Sequence, residues 1–353
     1  MRIHNLSPKK GVATVVPEVM EDLWRLRRII APNDLIVGET SRALKQTGEH
    51  IRPDKGERIR VNITLMVVKV SLDSTLDRLR ISGKIVDVSE ESLSKGSFHS
   101  MSITLDKKVS IRKDKWSDLE TRILREAESD TEGFVIVAID RREAGLGIVK
   151  GTHLQTYPVI YSGESGKLYV ESKGKEEPYF DRILKLLRTT VKRGWKLFIS
   201  GPGSTKNIFH NFISAKGKNL GMSAEVVTGL DLSGQDGVYM TLRSPDLRNS
   251  IKDMKIVQAS NILEETMKRI SMGDKRVALA FRNSNEASIM NAIGEILVSD
   301  KIFDLGVSEN DIVTLLNRVE LSRGKIFLVD SSTDVGSQVS ALGGLVSLLR
   351  FSI

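Results

Sequence analysis

The chain of 353 residues contains no cysteine, which excludes disulfide bonds, thiolate metal sites and cysteine nucleophiles. Long hydrophobic runs are also missing, since none reaches the ~18 residues that a membrane-spanning helix needs. The first residues, Met1 to Leu6, lack the charged and then apolar layout of a signal peptide. These absences predict a soluble protein of the cytosol.

The composition is that of folded globular protein, with 40% hydrophobic and 28% charged residues, and the length predicts two or three domains. The net charge of +8 is unevenly spread along the chain. Lys and Arg outnumber Asp and Glu by 24 to 20 in residues 1–130 and by 19 to 13 in residues 131–258, whereas residues 259–353 hold 10 against 12. This layout suits a protein whose first two thirds face nucleic acid and whose last third faces protein, although a solubilising surface explains it equally well.

The first predicted domain, residues 1–130, is mainly β. Apolar β-branched residues alternate with polar ones in Gly11–Val16, Arg58–Leu72 and Arg78–Val88, which predicts short antiparallel strands. Helical spacing predicts helices over Pro17–Ile30 and Trp116–Glu128.

The second and third predicted domains mix helices with strands, so the fold class is multidomain α+β. Residues 131–258 carry apolar runs at 134–139, 167–170 and 196–200 and a helical pattern over Tyr179–Arg193, which predict an α/β domain. Residues 259–353 alternate regularly and predict an α-β-α sandwich. Its predicted elements are a helix to Ile270, strand Val277–Phe281, helix Glu286–Gly294, strand Ile296–Ser299, helix Glu309–Leu321, strand Lys325–Val329 and helix Gly336–Leu349.

Motifs in all three segments resemble one family. The first segment has Pro17-Glu18, Asp-Leu-Trp-Arg-Leu at 22–26, Asn33-Asp34 and Thr47-Gly48, followed by Arg-Ile-Arg-Val-Asn-Ile-Thr-Leu at 58–65. Phe-Ile-Ser-Gly-Pro-Gly occupies 198–203, and Leu-Gly-Gly-Leu-Val-Ser-Leu-Leu-Arg-Phe occupies 342–351, where it resembles a C-terminal helix of the family. In this order the blocks are similar to archaeal Pelota proteins, paralogues of the class-1 release factors.

The resemblance implies a fold and a function. It implies an Sm-like β-barrel first domain, a central domain shared with release factors and a C-terminal domain similar to RNA-binding ribosomal proteins. The family recognises ribosomes stalled on mRNA, arrives with a GTP-bound GTPase that in archaea is expected to be elongation factor 1 alpha, and promotes subunit splitting with an ATP-binding-cassette recycling factor. The chain departs from the family at Ser204, where Phe is usual, and at Ala280–Asn283.

The chain nowhere carries the Gly-Gly-Gln with which release factors free the peptide. The only adjacent glycines are Gly343 and Gly344, and Leu345 follows them. The sequence therefore disfavours a release factor and predicts a protein that visits the ribosomal A site without terminating translation.

A basic, turn-rich loop over Thr40–Arg60 is the first candidate RNA contact. Phosphate contacts need positive charge but no sequence-reading geometry, and the resemblance places this region at the decoding site. The candidate residues are Arg42, Lys45, Arg52, Lys55, Arg58 and Arg60. A solvated hairpin tip is the alternative.

The central segment offers a second basic feature and a turn. A helical stripe without acids over residues 182–196 could meet ribosomal RNA or the GTPase, or simply face solvent; it comprises Arg182, Lys185, Arg188, Lys192, Arg193 and Lys196. The turn at Pro202 and Gly203 does not match a phosphate-binding loop, because the residue immediately before Lys206 is Thr205, where the pattern needs glycine. We expect this turn to dock on the GTPase, with Lys206 as an ionic contact.

A catalytic activity of the protein itself is an open alternative. Glu18, Glu21 and Asp22 lie at helical spacing and could hold a divalent cation for a metal-dependent endoribonuclease, an activity that the resemblance also attaches to the first domain. The simpler interpretation is that these acids favour the helix dipole or pair with Arg25 or Arg28. The five histidines are scattered, and none is spaced for metal binding with another.

The leading hypothesis is therefore a monomeric ribosome rescue factor that needs no cofactor for binding, although a divalent metal cation is left open. Its expected partners are the ribosome with its rRNA and mRNA, GTP-bound elongation factor 1 alpha and the ATP-binding-cassette recycling factor, with no membrane.

Overall fold

The computed structural model describes residues 1–43, 58–73, 78–88, 95–129, 133–163 and 177–353. The chain forms two compact units. The first comprises Met1–Thr131, Arg269–Leu328 and Val339–Ile353, and the second comprises Glu132–Lys268 and Val329–Gln338. No helix in the described ranges is long and apolar enough to span a membrane.

The N-terminal part of the first unit is a seven-stranded sheet, as expected of a mainly β segment. Its strands are β1 (Arg2–Ser7), β2 (Val12–Val16), β3 (Leu35–Ala43), β4 (Arg58–Asp73), β5 (Arg78–Val88), β6 (Phe98–Thr104) and β7 (Val109–Arg112), with helices α1 (Met20–Ile29) and α2 (Asp118–Ser129). Neighbouring strands are antiparallel in the order β1-β2-β7-β3-β4-β5-β6.

The predicted barrel is not closed by strand pairing among the described residues. The end strands β1 and β6 each pair with one neighbour. Between β6 and β3, the side-chain atoms Thr40 Oγ1 and His99 Nε2 share a hydrogen bond of 3.4 Å. The sheet is therefore an open relative of the expected Sm-like barrel.

Alternation along the strands builds the core of this sheet. In β5, Leu79, Ile81 and Ile85 are buried, whereas Arg80 and Lys84 between them are exposed. One face of the strand therefore packs inward and the other meets solvent. The inward face joins a core that also takes apolar side chains from α1 and α2.

The second unit is an α/β domain, as predicted. Its elements are β8 (Gly133–Ile139), β9 (Glu143–Lys150), β10 (His153–Thr156), β11 (Ile160–Tyr161), α3 (Glu177–Thr190), β12 (Lys196–Ser200), α4 (Thr205–Lys216), β13 (Ser223–Val226), α5 (Gly234–Arg243), α6 (Pro245–Ser250) and α7 (Lys255–Ser271), which continues into the first unit. The strand order is β10-β9-β8-β12-β13, with β11 on β9 and with β12 parallel to both β8 and β13. The strand predicted at residues 167–170 lies outside the described residues.

The C-terminal part carries a third sheet, with strand order β14-β17-β15-β16. The elements are β14 (Val277–Leu279), α8 (Ala280–Ile289), β15 (Ile293–Ser299), α9 (Glu309–Leu321), β16 (Lys325–Val329), α10 (Asp334–Ala341) and β17 (Leu345–Leu349). The bounds predicted for α9 and β16 are confirmed. The predicted helix Glu286–Gly294 starts earlier, as α8, and ends before Gly294, which lies in β15.

The helix predicted over Gly336–Leu349 is wrong beyond Ala341. Gly343 and Gly344 adopt φ values of 96° and 78°, a left-handed conformation that a regular α-helix does not contain. The five residues after them are all buried and form β17, which lies between β14 and β15. A short apolar run buried on both faces suits a central strand as well as a helix, so its periodicity did not distinguish the two.

Helix α1 and the C-terminal α9 region are packed together within the first unit. The rings of Trp24 and Phe303 stack with centroids 5.0 Å apart. Arg27 donates to Glu309, and Arg28 donates to Glu320 Oε2 over 3.0 Å. These contacts join parts of the chain that are far apart in sequence and that sequence patterns treat as separate domains.

Candidate functional site

The three acidic residues proposed for metal binding lie at the start of α1, where Asp22 is fully buried. Its Oδ2 accepts backbone hydrogen bonds from Glu18 at 2.8 Å and Val19 at 3.2 Å. The same oxygen lies 2.9 Å from the α-amino group of Met1. Asp22 thus satisfies backbone donors that a helix start leaves without intrahelical partners.

The other two carboxylates are paired with arginines. Arg25 contacts Glu21 at 2.7 Å and Asp22 at 3.2 Å, and Arg2 lies 3.4 Å from Glu18. In the described part of the chain, no group of three or more His, Cys, Asp or Glu side chains is placed to hold a metal ion. The geometry favours the simpler interpretation for Glu18, Glu21 and Asp22, in which they stabilise the helix start, and it gives the endonuclease alternative no support.

The predicted basic loop is partly strand. Arg42 lies at the end of β3 opposite Ile59 of β4, and the backbones of Arg58 and Arg60 pair with β3 as well. Lys45, Arg52 and Lys55 lie outside the described residues. In the described part, Arg42, Arg58 and Arg60 lie on the paired strands β3 and β4, and their contact with RNA stays a prediction.

The basic stripe is exposed on α3, but the helix is shorter than predicted. Arg182, Lys185 and Arg188 are exposed, and Ile183, Leu184 and Leu187 are buried on the opposite face. The helix ends at Thr190, so the remaining cations, Lys192, Arg193 and Lys196, follow it.

Two of the three helical cations are engaged by backbone carbonyls. Arg182 Nη2 donates to Ser162 O at 2.9 Å, and Arg188 Nη2 donates to Lys216 O at 3.4 Å. A cation with a backbone acceptor keeps its charge, so the three cations outnumber the exposed acids of α3, Glu177 and Asp181, and the surface of the helix is net positive and able to meet an acidic surface or a phosphate.

The turn between β12 and α4 is held by its own lysine. Lys206 Nζ donates to Gly201 O at 2.7 Å and to Gly203 O at 2.9 Å. A Cβ on Gly201, whose φ is 126°, would lie 2.1 Å from Ile139 O. Lys206 therefore fixes the shape of the turn, and its ionic contact with the GTPase stays a prediction. Pro202 and Gly203 lie at the surface of the turn, where a partner can reach them.

Sequence reasoning missed an exposed face and a cavity beside β6. Phe98 is 67% exposed, and Lys84 Nζ lies 5.8 Å from its ring centroid. A cavity of about 540 Å³ lies at the other end of the strand, lined in part by Gly38, Met101, Ser102, Lys107 and Lys108. The signal available in the sequence was the period-2 alternation of β5 and β6, which puts Lys84 and Phe98 on the outward face.

Comparison with known proteins identifies the lineage of this architecture. A family model described as Pelota N-terminal domain matches residues 1–128, and one described as eRF1 domain 3 matches residues 256–353. The second match shows that the C-terminal part is similar to a release-factor domain. The first match shows that the N-terminal part is similar to that of Pelota proteins instead.

Relatives match the chain over nearly its whole length. The "Protein pelota homolog" of Nitrosopumilus maritimus is 40% identical over 98% of this chain and 97% of its own, and that of Cenarchaeum symbiosum is 34% identical over 96% of each. The crystal structure of Thermoplasma acidophilum Pelota covers all of both chains with a TM-score of 0.63 at 23% identity. The Archaeoglobus fulgidus Pelota structure gives 0.51 at 25% identity, over 100% of this chain and 99% of its own. The chain belongs to the Pelota family.

Proposed function

We propose that this protein is a ribosome rescue factor of the cytoplasm. It enters the A site of a ribosome stalled on mRNA together with GTP-bound elongation factor 1 alpha, and it promotes subunit dissociation with an ATP-binding-cassette recycling factor. One combined observation carries the proposal: the chain belongs to the Pelota family over its full length, retains a release-factor C-terminal domain and lacks Gly-Gly-Gln.

The positions of the adjacent glycines strengthen this argument. Gly343 and Gly344 form the left-handed connection between α10 and β17, and a Cβ on Gly344 would lie 2.6 Å from the buried side chain of Ile302. The pair is thus packed into the C-terminal domain as a structural turn. It presents no exposed loop that could carry a hydrolytic water to an ester bond.

We assign different binding partners to the basic surfaces. The candidate RNA contacts assigned to the decoding site are Arg42, Arg58 and Arg60 on β3 and β4, and Lys45, Arg52 and Lys55 in the sequence between these strands. The face of α3 and the turn at Pro202 and Gly203 are assigned to the GTPase or to ribosomal RNA. Electrostatic contacts of this kind speed association and weaken with salt.

A binding experiment with the purified GTPase tests the proposal. The protein should associate with archaeal elongation factor 1 alpha loaded with a non-hydrolysable GTP analogue, and association should be weaker with GDP. Lys185→Glu, on the exposed face of α3, should weaken this association, whereas the matched control Lys275→Glu, exposed on the C-terminal part, should not. A wild-type protein that binds neither nucleotide form at near-physiological salt contradicts the GTPase assignment.

The rescue step has its own assay. Ribosomes stalled on an mRNA truncated in the A site should separate into subunits when the protein, the GTPase, GTP, the recycling factor and ATP are all present, as followed by sedimentation. The peptide should remain on its tRNA, because no Gly-Gly-Gln is available. Release of free peptide at the rate of a termination factor is the result that this proposal forbids.

A further inference from the structure

The outer face of β5 and β6 combines an exposed aromatic ring with positive charge. Lys84 and Phe98 are register partners on the two strands, and the lysine ammonium lies 5.8 Å from the ring centroid. Arg80, on the same face of β5, is also exposed. Between them, the hydroxyls of Ser82 and Ser100 lie 3.2 Å apart. An exposed phenylalanine in a hydroxyl-rich, cationic sheet face does not contribute to the core, since its ring is 67% exposed.

The same strand leads to a cavity at its far end. Ser102, which pairs with Arg80 and points the same way as Phe98, lines the cavity of about 540 Å³. Buried Met101 and Val109 form its apolar part. Its exposed charged side chains are Lys107 and Lys108 together with the acids Glu39 and Asp106. The volume falls within the range of about 300–1,000 Å³ typical of small-ligand sites.

We propose that this face and this cavity together bind single-stranded RNA, with one base stacked on Phe98 and another held in the cavity. The proposal deepens the rescue function, on which it rests, by assigning a second RNA contact on the first domain. Single-stranded RNA is recognised by stacking unpaired bases on exposed aromatic rings while cations follow the backbone. The face supplies both elements along one strand.

The spacing fits a short stretch of RNA. Phe98 and Ser102 are four residues apart in a strand that rises about 3.3 Å per residue, so roughly 13 Å separates the ring from the cavity. Lys84 and Arg80 stand on the outer face of β5 along this path, where they can neutralise phosphates. Lys107 and Lys108 do the same for the nucleotide whose base enters the cavity.

Charge distinguishes RNA from a protein partner at this face. β5 holds Arg78, Arg80 and Lys84 against Asp87, with Arg78 paired to Asp73 at 3.0 Å, and β6 holds no acid. In the cavity, Glu39 and Asp106 balance Lys107 and Lys108, so the positive charge lies on the outer face of β5. Asp87 is occupied by Lys95, whose Nζ lies 3.1 Å from it. An aromatic ring surrounded by cations and hydroxyls suits phosphate and base chemistry better than it suits a hydrophobic protein surface.

Substitutions at Phe98 separate stacking from simple apolar contact. With the full chain and a fluorescein-labelled unstructured RNA of about 12 nucleotides, Phe98→Ala and Phe98→Leu should both weaken binding, Phe98→Ala by roughly tenfold or more. Phe98→Tyr should keep the affinity, because it keeps the ring. The matched control is Phe351→Ala, which removes a 48% exposed phenylalanine from the C-terminal end of the chain and should leave RNA binding unchanged.

Replacing the two cavity lysines should change the salt dependence of RNA binding. Lys107→Ala combined with Lys108→Ala should weaken binding and lower the slope of log affinity against log salt by about 0.7 for each phosphate that is no longer neutralised. Equal affinity of the wild type, both Phe98 truncations and the double lysine variant would overturn the proposal. The proposal would also be overturned if Phe98→Ala abolished the binding of a protein partner to this face but left RNA binding unchanged.

The outcomes are separable from those of the rescue proposal. Each Phe98 variant should still associate with GTP-bound elongation factor 1 alpha, because the ring lies on the first domain and the assigned GTPase contacts lie on the second unit. If the wild type fails to bind the GTPase but loses RNA affinity on Phe98→Ala, the rescue function falls and the RNA site stands. If RNA and GTPase binding disappear together with the melting transition, the variant is unfolded, and Phe98→Leu and Phe98→Tyr then decide the question.

Discussion

Removing the Arg28 side chain should destabilise the first unit strongly, because this arginine joins α1 to α9 from a nearly buried position. Its Nε donates to Asn317 Oδ1 over 2.8 Å and its Nη2 donates to Glu320 Oε2 over 3.0 Å. The side chains of Arg28 and Glu320 are only 6% and 13% exposed. Burial lowers the pKa of the Arg28 guanidinium, and the charge of Glu320 opposes that shift.

The expected cost follows from what remains after Arg28→Ala. Leaving one member of a buried ion pair without its partner costs about 3–5 kcal/mol. Glu320 keeps a second cation, since Arg122 Nε lies 3.7 Å from its Oε1, but Arg122 is 42% exposed and such contacts contribute at most about 1 kcal/mol. We therefore expect a loss of about 2–4 kcal/mol in the free energy of unfolding.

Denaturant titration followed by tryptophan fluorescence measures this loss, because Trp24 lies one helical turn from Arg28 and stacks on Phe303. The control is Arg243→Ala, which breaks an exposed ion pair with Asp334 and should cost no more than about 1 kcal/mol. Replacing Arg28 and Glu320 together by methionine should cost less than Arg28→Met alone, since no charge is then left buried. An Arg28→Ala protein as stable as the Arg243→Ala control would refute the argument.

Three further predictions address the turn, the acid response and the metal question. Gly201→Ala should lower the free energy of unfolding by several kcal/mol, and by more than Gly203→Ala, whose added methyl meets open space; thermal melting compares the two. For Asp330, burial raises the carboxyl pKa, but the hydrogen bond and charge of His153 and the hydrogen bonds from Ser332 together outweigh burial and depress it, so its stabilisation is present at neutral pH and is lost as pH falls through the folded pKa. The melting temperatures of wild type and Asp330→Asn should therefore differ near neutral pH and converge as acid protonates Asp330. Addition of Mg²⁺ or EDTA should leave the melting temperature unchanged, and any RNA cleavage that persists in Glu18→Ala is to be assigned to a contaminant.

Local patterns predicted the elements whose signals are local. Helix α9 begins after Ser308 and carries acids in its first turn and an apolar stripe, so its bounds follow from the sequence. Strand β17 was predicted as helix because a buried run of Leu and Val has no alternation to identify it. The two glycines before it were the available signal, since adjacent left-handed residues end a helix.

Side-chain partners far apart in sequence could not be predicted. Helical spacing placed Glu18, Glu21 and Asp22 on one helix. No local sequence pattern indicated that Arg2 and the Met1 amino group would join Arg25 in neutralising them. In the same way, Lys206 follows the pattern of a surface cation, and only the folded turn shows the two carbonyls that it binds. The alternation of apolar and polar residues predicted the mainly β first segment, and the family resemblance predicted the lineage. Neither predicted that β6 would end the sheet formed by the described residues.

The contact between α1 and α9 has a consequence for the order of folding during synthesis. Arg27 and Glu309 are separated by 282 residues. At a synthesis rate of about 5–20 residues per second, α1 waits roughly 15–60 s for its partner helix. During that interval Trp24 and the two arginines are presented to solvent on a helix whose other face has already found its sheet. We therefore expect the side of α1 that carries Trp24, Arg27 and Arg28 to stay uncovered until α9 has been synthesised.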